Sequence, residues 1–289
     1  MTIAVLYKNP LGHLTQWGAF MDRVFIYDPS DAVDRVSRVK PDWLFVNKGF
    51  DEGVVEALVK QGFPLCYFYG DYRHSLGRAF YWHASVASVV LTTWFREDIS
   101  STVVRQGIDP LMWYPIYESP EVYDVGFCGN WGGGSLRIRV LEALSRDFKL
   151  LVIGSGWSSR LPNATCVGHK DPPSANKYLS LCRTTVGAFN FEDLSNLRYY
   201  TSNRLYQCMA TGKVYVGPFT KDLHKYFSPR DAYMDYSGYA DLKTKLKYLL
   251  GLPKKKRLEL GRAQHDWVMR DNTIRHACRR IEEVLRNAL

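Results

Sequence analysis

Two short segments of this sequence combine residue types that bind anions. The first, Gly129-Asn130-Trp131-Gly132-Gly133-Gly134-Ser135, follows an apolar run and precedes a helical pattern that carries Arg137 and Arg139. A glycine-rich turn between a strand and a helix directs free backbone N–H groups at a phosphate or another anion. The segment lacks the lysine of a P-loop and the spacing of G-x-G-x-x-G, so it does not favour an NTPase or a NAD-binding site. A flexible turn without a ligand is the alternative.

The second segment runs from Thr201 to Val216. Ser202 or Asn203 is a suitable cap for a helix, and Arg204 supplies a planar cation in its first turn. Gly212 ends the helix before a buried strand. The amino end of this helix would therefore suit a diphosphate, although helix caps of this kind are common in all proteins.

The elements that must position these segments alternate along the chain. Apolar runs typical of buried strands, such as Ile3–Tyr7, Pro64–Tyr69 and Lys149–Ile153, are separated by helical patterns and by loops rich in Gly, Pro and Asp. Strands that alternate with helices predict a parallel sheet covered on both faces. The pattern restarts after the proline-bearing stretch 114–123, so we predict an α/β protein of two Rossmann-like domains facing across a cleft.

Length and charge are consistent with this organisation. The chain has 289 residues and a net charge of +9, and residues 241–289 contribute 13 cations against 6 acidic residues, which is +7. A solvated helix start and a surface that attracts a polyanion explain this excess equally well. No apolar run approaches the roughly 20 residues of a membrane span, and no basic segment typical of a signal peptide precedes Ile3. We therefore expect a cytoplasmic protein, or one of the host cytoplasm if it is viral.

The ordered set of motifs resembles the C-terminal half of GT-B glycosyltransferases, in particular the group-1-like family that includes the CgeB spore-maturation proteins. The resemblance covers roughly residues 122–280 and rests on Asp124–Arg139, Leu151–Trp157, Ser202-Asn203-Arg204 and Ala210-x-Gly212. It implies a GT-B fold with an acceptor-side domain at 1–118, a nucleotide-sugar-binding domain at 119–262, and a C-terminal helix at 263–289. This last helix would pack back toward the N-terminal domain.

The resemblance also implies a donor site and a co-substrate, a nucleotide sugar such as UDP-glucose, with no further cofactor. Ser202, Asn203 and Arg204 would contact the diphosphate, and Gln207 would face the ribose, where the family usually has a glutamate. The remaining donor-binding positions are in the glycine loop and after the next strand: Gly129, Asn130, Gly132, Gly133, Arg137 and Gly154. The sequence contains no Asp-x-Asp, so we expect no metal site.

A transferase of this type needs a group that accepts or directs the proton of the acceptor hydroxyl. Asp71 is the first candidate and His74 the second, with a turn aspartate and a surface histidine as the ordinary alternatives. On the acceptor side we place His13, Tyr72, Arg73 and Trp94. Trp94 belongs to a segment that interleaves aromatic rings with cations, as a sugar or nucleobase platform would, whereas core packing explains most aromatic residues.

These observations leave two functions open. One is transfer of a sugar to a hydroxyl acceptor, which includes a hydroxymethylated pyrimidine in DNA as well as small molecules and glycans. The basic C-terminal region favours DNA, while the slightly acidic N-terminal region does not. The other is a non-catalytic α/β protein that binds nucleic acid, for which steeply salt-dependent binding is expected.

Overall fold

The computed structural model describes residues 1–6, 22–47, 50–70, 77–95, 97, 99–132, 135–157, 160–161, 163–188 and 197–289. The chain forms two compact units, one of Met1–Gly107 with Ile274–Leu289 and one of Ile108–Thr273. Each unit contains a six-stranded parallel sheet. The predicted α/β class with two Rossmann-like sheets is therefore confirmed. The domain ranges 1–118, 119–262 and 263–289, which the family resemblance implies, stay a prediction.

The first unit has the strand order β2-β1-β3-β4-β5-β6. Its strands are β1 (Ile3–Leu6), β2 (Arg23–Ile26), β3 (Trp43–Asn47), β4 (Leu65–Tyr69), β5 (Val89–Thr92) and β6 (Thr102–Val103), and its helices include α1 (Pro29–Val39), α2 (Glu52–Lys60) and α3 (Arg78–Val86). All residues of β1 and β4 are buried, as expected for parallel strands covered on both faces. Asp28 and Asp51 cap α1 and α2 by accepting hydrogen bonds from the backbone N–H groups of Ser30 and Val54.

The C-terminal helix α9 (Ile274–Asn287) belongs to this first unit. Its residues Cys278, Ile281 and Leu285 are fully buried and join the core formed by β1, β3, β4 and β5. The apolar residues recur at three- and four-residue intervals, which places them on one face of the helix. The predicted packing of the C-terminal helix toward the N-terminal domain is confirmed for Ile274–Asn287, whereas residues 263–271 belong to a separate helix, Lys254–Asp271, of the second unit.

The second unit has the strand order β12-β11-β10-β7-β8-β9. Its strands are β7 (Tyr123–Cys128), β8 (Leu150–Ile153), β9 (Thr165–Val167), β10 (Cys182–Val186), β11 (Val214–Pro218) and β12 (Met234–Tyr236), and its α-helices are α4 (Ser135–Asp147), α5 (Pro172–Ser180), α6 (Asn203–Ala210), α7 (Tyr239–Gly251) and α8 (Lys254–Asp271). One buried cluster packs α4 and α7 against the sheet, and a second includes residues of α5, α6 and α8. Helices thus cover both faces of the sheet.

Helices α6 and α8 pack closely at one point. Gly261 of α8 lies against the backbone of Gly212, so that a Cβ at Gly261 would overlap the Gly212 carbonyl oxygen. The Tyr206 and Trp267 rings stack at 5.9 Å between the same two helices. Helix α8 therefore fixes the position of α6 in the second unit. Within the described residues, no helix is long and apolar enough to cross a membrane.

Candidate functional site

Four backbone segments meet at the carboxyl edge of the sheet in the second unit. They are the residues after β7 (129–132), those after β8 (154–157), those after β10 (187–188) and the start of α6. All strands of this sheet are parallel, so their carboxyl ends lie at one edge, where α/β proteins bind ligands. The two segments predicted to bind anions meet here.

The loops after β7 and β8 pack backbone against backbone. Gly154 has φ +142°, and a Cβ there would overlap the carbonyl oxygen of Gly129. The Asn130 side-chain oxygen accepts hydrogen bonds from the N–H of Ser155 at 2.9 Å and from its hydroxyl at 3.1 Å. The Trp157 indole N–H donates to the Gly129 carbonyl at 2.7 Å. Gly129, Asn130 and Gly154 are therefore held by a fixed hydrogen-bond network.

Arg204, the second residue of α6, reaches across to the end of β7. Its Nε donates to the Cys128 carbonyl, and its NH1 donates to the Ala188 carbonyl at 3.3 Å. The guanidinium carbon lies 4.7 Å from the centre of the Phe127 ring. A Cβ at Gly129, which has φ +157°, would overlap the guanidinium. Glycine is thus needed here so that the cation can reach the loop backbone.

Arg137, in the first turn of α4, lies beside Arg204. Its Nε donates to the Ala188 carbonyl at 3.0 Å and its NH1 to the Asn130 carbonyl at 2.8 Å. The two guanidinium groups therefore share one acceptor, and both contact the Phe127 ring. Burial, and next the positive charge of Arg204, lower the pKa of Arg137 to about 9.

Neither arginine forms an ion pair with a carboxylate in the part of the chain that the structure describes. Their described acceptors are backbone carbonyls, which carry only partial charge. Two adjacent, partly buried cations repel each other, and an anion bound between them would relieve this repulsion. The arrangement can therefore hold a phosphate or diphosphate group.

The amino end of α6 adds backbone donors to these cations. Ser202 precedes the helix with an extended backbone, and its side chain makes no capping hydrogen bond among the described residues. The first N–H groups of a helix have no partner inside the helix and carry its positive dipole end. Ser202 and Asn203 are half-buried, and so is Gln207, which lies one turn further along α6.

A charged cluster joins the segment before α6 to the segment after β11. Asp222 accepts a hydrogen bond from Arg198 at 2.5 Å and pairs with Lys225 at 2.8 Å. These two partners lower the pKa of Asp222 to about 2, with Lys225 as the larger influence. Tyr199 and Asp222 both have left-handed backbone conformations, with φ +59° and +65°. Such backbone conformations are unfavourable for residues other than glycine. The contacts around Tyr199 and Asp222 must therefore stabilise the two segments that carry them.

Most of the acceptor-side predictions, and one residue of the glycine loop, fall outside the described part of the chain. His13, Asp71, Tyr72, Arg73, His74 and Gly133 lie outside the described residues. Trp94 is completely buried and packs near Phe80 at 6.3 Å, so its ring has no exposed face. Gly132 is exposed in the loop after β7. The roles assigned to all these residues stay predictions.

Three contributors to the site are not among the residues predicted from the sequence. Phe127 lies under both guanidinium groups, the Ala188 carbonyl joins them, and Trp157 fixes the Gly129 carbonyl. In the sequence, Phe127 and Ala188 are ordinary apolar residues of strands or strand ends. The only available signal was that each lies where a buried strand ends, which is shared by many residues without a function.

Comparison with known proteins gives one family and several related structures. The sequence model of the family described as Glycosyl transferase-like matches residues 137–283, just over half of the 289 residues. The matched range includes Arg137 and the whole of α6. No curated protein matches the sequence.

Several solved structures share the fold at low sequence identity. Anabaena Alr3699/HepE in complex with UDP-glucose superposes with a TM-score of 0.68 at 11% identity, covering 99% of this chain and 100% of that chain. Sucrose-phosphate synthase from Thermosynechococcus elongatus gives 0.66 at 13% identity, covering 99% and 88%. A glycosyltransferase from Rickettsia africae gives 0.64 at 13% identity, covering 99% and 98%. At these identities the likeness establishes the GT-B fold and no more.

Proposed function

Because the chain belongs to the glycosyl transferase-like family, we propose that it transfers a sugar from a nucleoside-diphosphate sugar to a hydroxyl group of an acceptor. The observation that carries this proposal is the pair Arg137 and Arg204, which lie side by side at the carboxyl edge of a parallel sheet. Within the described residues this pair has no carboxylate partner.

In this proposal the donor diphosphate binds between the arginine pair and the start of α6. Arg204 and the N–H groups of Ser202 and Asn203 would contact one phosphate, and Arg137 with the glycine loop would contact the other. The loop contributes through Gly129, Asn130, Gly132 and Gly133, and Gly154 allows it to approach β8. Gln207 would face the ribose and offer one neutral acceptor to its hydroxyls.

The same cations would assist the reaction itself. When the bond between the sugar and the diphosphate breaks, negative charge develops on the leaving phosphate oxygen. Arg137 and Arg204 are oriented before the reaction by the Ala188, Cys128 and Asn130 carbonyls, so they need little rearrangement to stabilise that charge. This stabilisation would be stronger in the partly buried site than in water.

The likeness to Alr3699/HepE, whose structure contains UDP-glucose, makes UDP-glucose the first donor to test. On the acceptor side, we propose Asp71 as the group that accepts or directs the hydroxyl proton and His74 as the second candidate. His13, Tyr72 and Arg73 complete the proposed acceptor side, whereas the buried ring of Trp94 has no face that could contact an acceptor.

As a finer proposal, the protein is CgeB-like and its acceptor is a hydroxymethylated pyrimidine in DNA. The net charge of +9 supports this acceptor, because the phosphate backbone of DNA attracts a basic protein. Mass spectrometry of hydroxymethylated DNA, small alcohols and glycans after incubation with UDP-glucose would identify the product. A glycosylated small molecule with unmodified DNA would contradict the DNA acceptor and leave the sugar transfer in place.

The experiment that tests the main proposal is a thermal-shift screen of UDP, GDP and ADP and of their glucose conjugates. We expect at least one nucleoside diphosphate to raise the melting temperature, because a ligand that binds only the folded state stabilises it. A protein that binds DNA and responds to none of these nucleotides would instead be the non-catalytic alternative.

A further inference from the structure

A second group of charged residues lies at the opposite, amino edge of the sheet in the second unit. This basal cluster consists of Glu121, Asp124, Arg183, Lys213, Lys254 and Arg257. Asp124 and Arg183 are the second residues of β7 and β10, and Lys213 directly precedes β11. A strand of five or six residues separates this edge from the candidate donor site, which is roughly 15–20 Å. The basal cluster is therefore distinct from the donor site.

Ion pairs join several members of the basal cluster. Arg257 donates to the Glu121 carboxylate at 2.5 Å, and Arg183 lies 3.7 Å from the same carboxylate. Arg183 also pairs with Asp124 at 3.3 Å. Glu121 is thus shared by two arginines and Asp124 pairs with Arg183, and within the described residues neither carboxylate forms an ion pair with Lys213.

Lys213 is the buried member without a partner. Its side chain is only 2% exposed, and its ammonium group has no hydrogen-bond partner among the described residues. Electrostatic interactions with Glu121, Lys254 and Arg257 place it within the cluster, and burial lowers its pKa. Arg257 is 5% exposed, and its Nε also has no partner among the described residues. Buried cationic N–H groups without acceptors are costly, which indicates that an acceptor belongs here.

The start of α8 provides a second, independent observation. Helix α8 is 18 residues long, has no acidic residue in its first turn, and begins after Pro253, which provides no side-chain cap. Its first four residues are Lys254, Lys255, Lys256 and Arg257. Cations at the amino end of a helix oppose its dipole, whereas anions there stabilise it. This end of α8 therefore attracts an anion through its backbone and its side chains together.

The charges of the basal cluster also do not balance. Its four cations are Lys213, Lys254, Arg183 and Arg257, and its two carboxylates are Glu121 and Asp124, so that 4 − 2 leaves a charge of +2. Lys213 is too deeply buried to contact the phosphodiester backbone of a DNA duplex. A small dianion would match both the charge and the burial.

We propose that the basal cluster binds a small phosphate anion between Lys213, Arg257 and the amino end of α8. The phosphate is free inorganic phosphate or the phosphate group of a small metabolite, and both present the same oxygens to these donors. This site does not depend on the proposed sugar transfer. Because α8 packs on Gly212 directly after α6, a bound phosphate would also stabilise the helix that carries the candidate donor site.

Calorimetric titration of the full chain with inorganic phosphate, in a buffer without other multivalent anions, tests the proposal. The candidate donor site can also hold phosphate, so the basal cluster is measured in the Arg204→Met background. We expect that protein to bind phosphate and the added change Lys213→Met to abolish the binding. The added change Lys254→Met should weaken it about tenfold, as for loss of one charge-assisted hydrogen bond. Lys60→Met, a change of the same type at an exposed lysine of the first unit, should bind like wild type. Glycerol 3-phosphate in a parallel titration distinguishes an ester from free phosphate, and binding of either supports the site.

Thermal unfolding gives a readout that a folding defect would not mimic. Without phosphate, Lys213→Met should melt at a higher temperature than wild type, because an unpartnered buried charge has been removed. In the Arg204→Met background, saturating phosphate should raise the melting temperature by about 5 °C, and the added change Lys213→Met should abolish this gain.

Two results would overturn the proposal. The first is the absence of phosphate binding by wild type. The second is binding that survives Lys213→Met and Lys254→Met but disappears in Arg204→Met, since the phosphate would then occupy the candidate donor site. Failure of the nucleotide screen, in contrast, would bear on the proposed sugar transfer and not on this site.

Discussion

Arg137 and Arg204 meet at a single acceptor, the carbonyl oxygen of Ala188, although they belong to different helices. Each also donates to a second carbonyl, Asn130 for Arg137 and Cys128 for Arg204. A guanidinium can make such paired contacts because its N–H groups are planar and diverge, whereas an ammonium is a point charge. The geometry therefore depends on arginine and not on positive charge alone.

Replacing Arg204 by lysine tests this dependence. We expect Arg204→Lys to keep the fold and to weaken binding of the nucleoside diphosphate about 10- to 100-fold, since a charge-assisted hydrogen bond contributes about 1.5–3 kcal/mol. Calorimetric titration would measure the change. Arg262→Lys, at an exposed arginine of α8, is the control and should bind like wild type. Equal affinities for the two variants would refute the role of Arg204.

The lowered pKa of Arg137 predicts a pH dependence of donor binding. Below about pH 9 the side chain is a cation and attracts the diphosphate, and above that pH the free protein loses this charge. Affinity should therefore fall as the pH rises through 9, and bound ligand should raise the pKa of Arg137. The measurement is UDP affinity as a function of pH.

The Arg137→Gln variant is the reference for this measurement. It should bind UDP more weakly at neutral pH and show a smaller decrease above pH 9, because UDP itself titrates identically with both proteins. Parallel pH profiles for wild type and variant would mean that another group is responsible.

At the scale of elements, the position of α6 depends on close packing with α8. The contact between Gly261 and Gly212 leaves no room for a methyl group, and the Tyr206 and Trp267 rings stack beside it. Close backbone approach of this kind fixes both the distance and the register of two helices.

Alanine substitutions at two helical glycines separate packing from helix propensity. Gly261→Ala should lower the free energy of unfolding by about 1–3 kcal/mol, because the new methyl group overlaps the Gly212 backbone. Gly251→Ala, in open space at the end of α7, should be neutral or stabilise by up to about 1 kcal/mol. Urea unfolding would measure both, and an equal effect of the two changes would contradict the packing argument.

At the scale of the whole molecule, the two units have separate cores, and the buried residues of α9 belong to the core of the first. Ile281→Ala should therefore destabilise the first unit by about 2–5 kcal/mol through the cavity it creates. Hydrogen exchange should become faster in β1, β3, β4 and β5 and stay unchanged in β7, β8 and β10.

Leu246→Ala is the converse change, because Leu246 belongs to the core of the second unit. It should accelerate exchange in the second unit and leave the first unit unaffected. A uniform increase throughout the chain for both variants would show that the two units unfold as one.

The sequence by itself determined the class of the fold. Fully apolar runs such as β1 and β8 must be buried on both faces, and their alternation with helical patterns allows only a parallel sheet between helices. The glycine loop after β7 and the Ser202-Asn203-Arg204 start of α6 were also recognisable, because strand ends and helix caps are local features of the chain.

Only the tertiary structure decided which side chains meet. The pairing of Arg137 with Arg204 arises because β7 and β10 are neighbours in the sheet, an order that no local pattern encodes. The burial of Lys213 without a partner depends in the same way on where α8 crosses the start of β11. Local propensity acts over a few residues, whereas these charged groups are brought together by packing between elements that lie far apart in the chain.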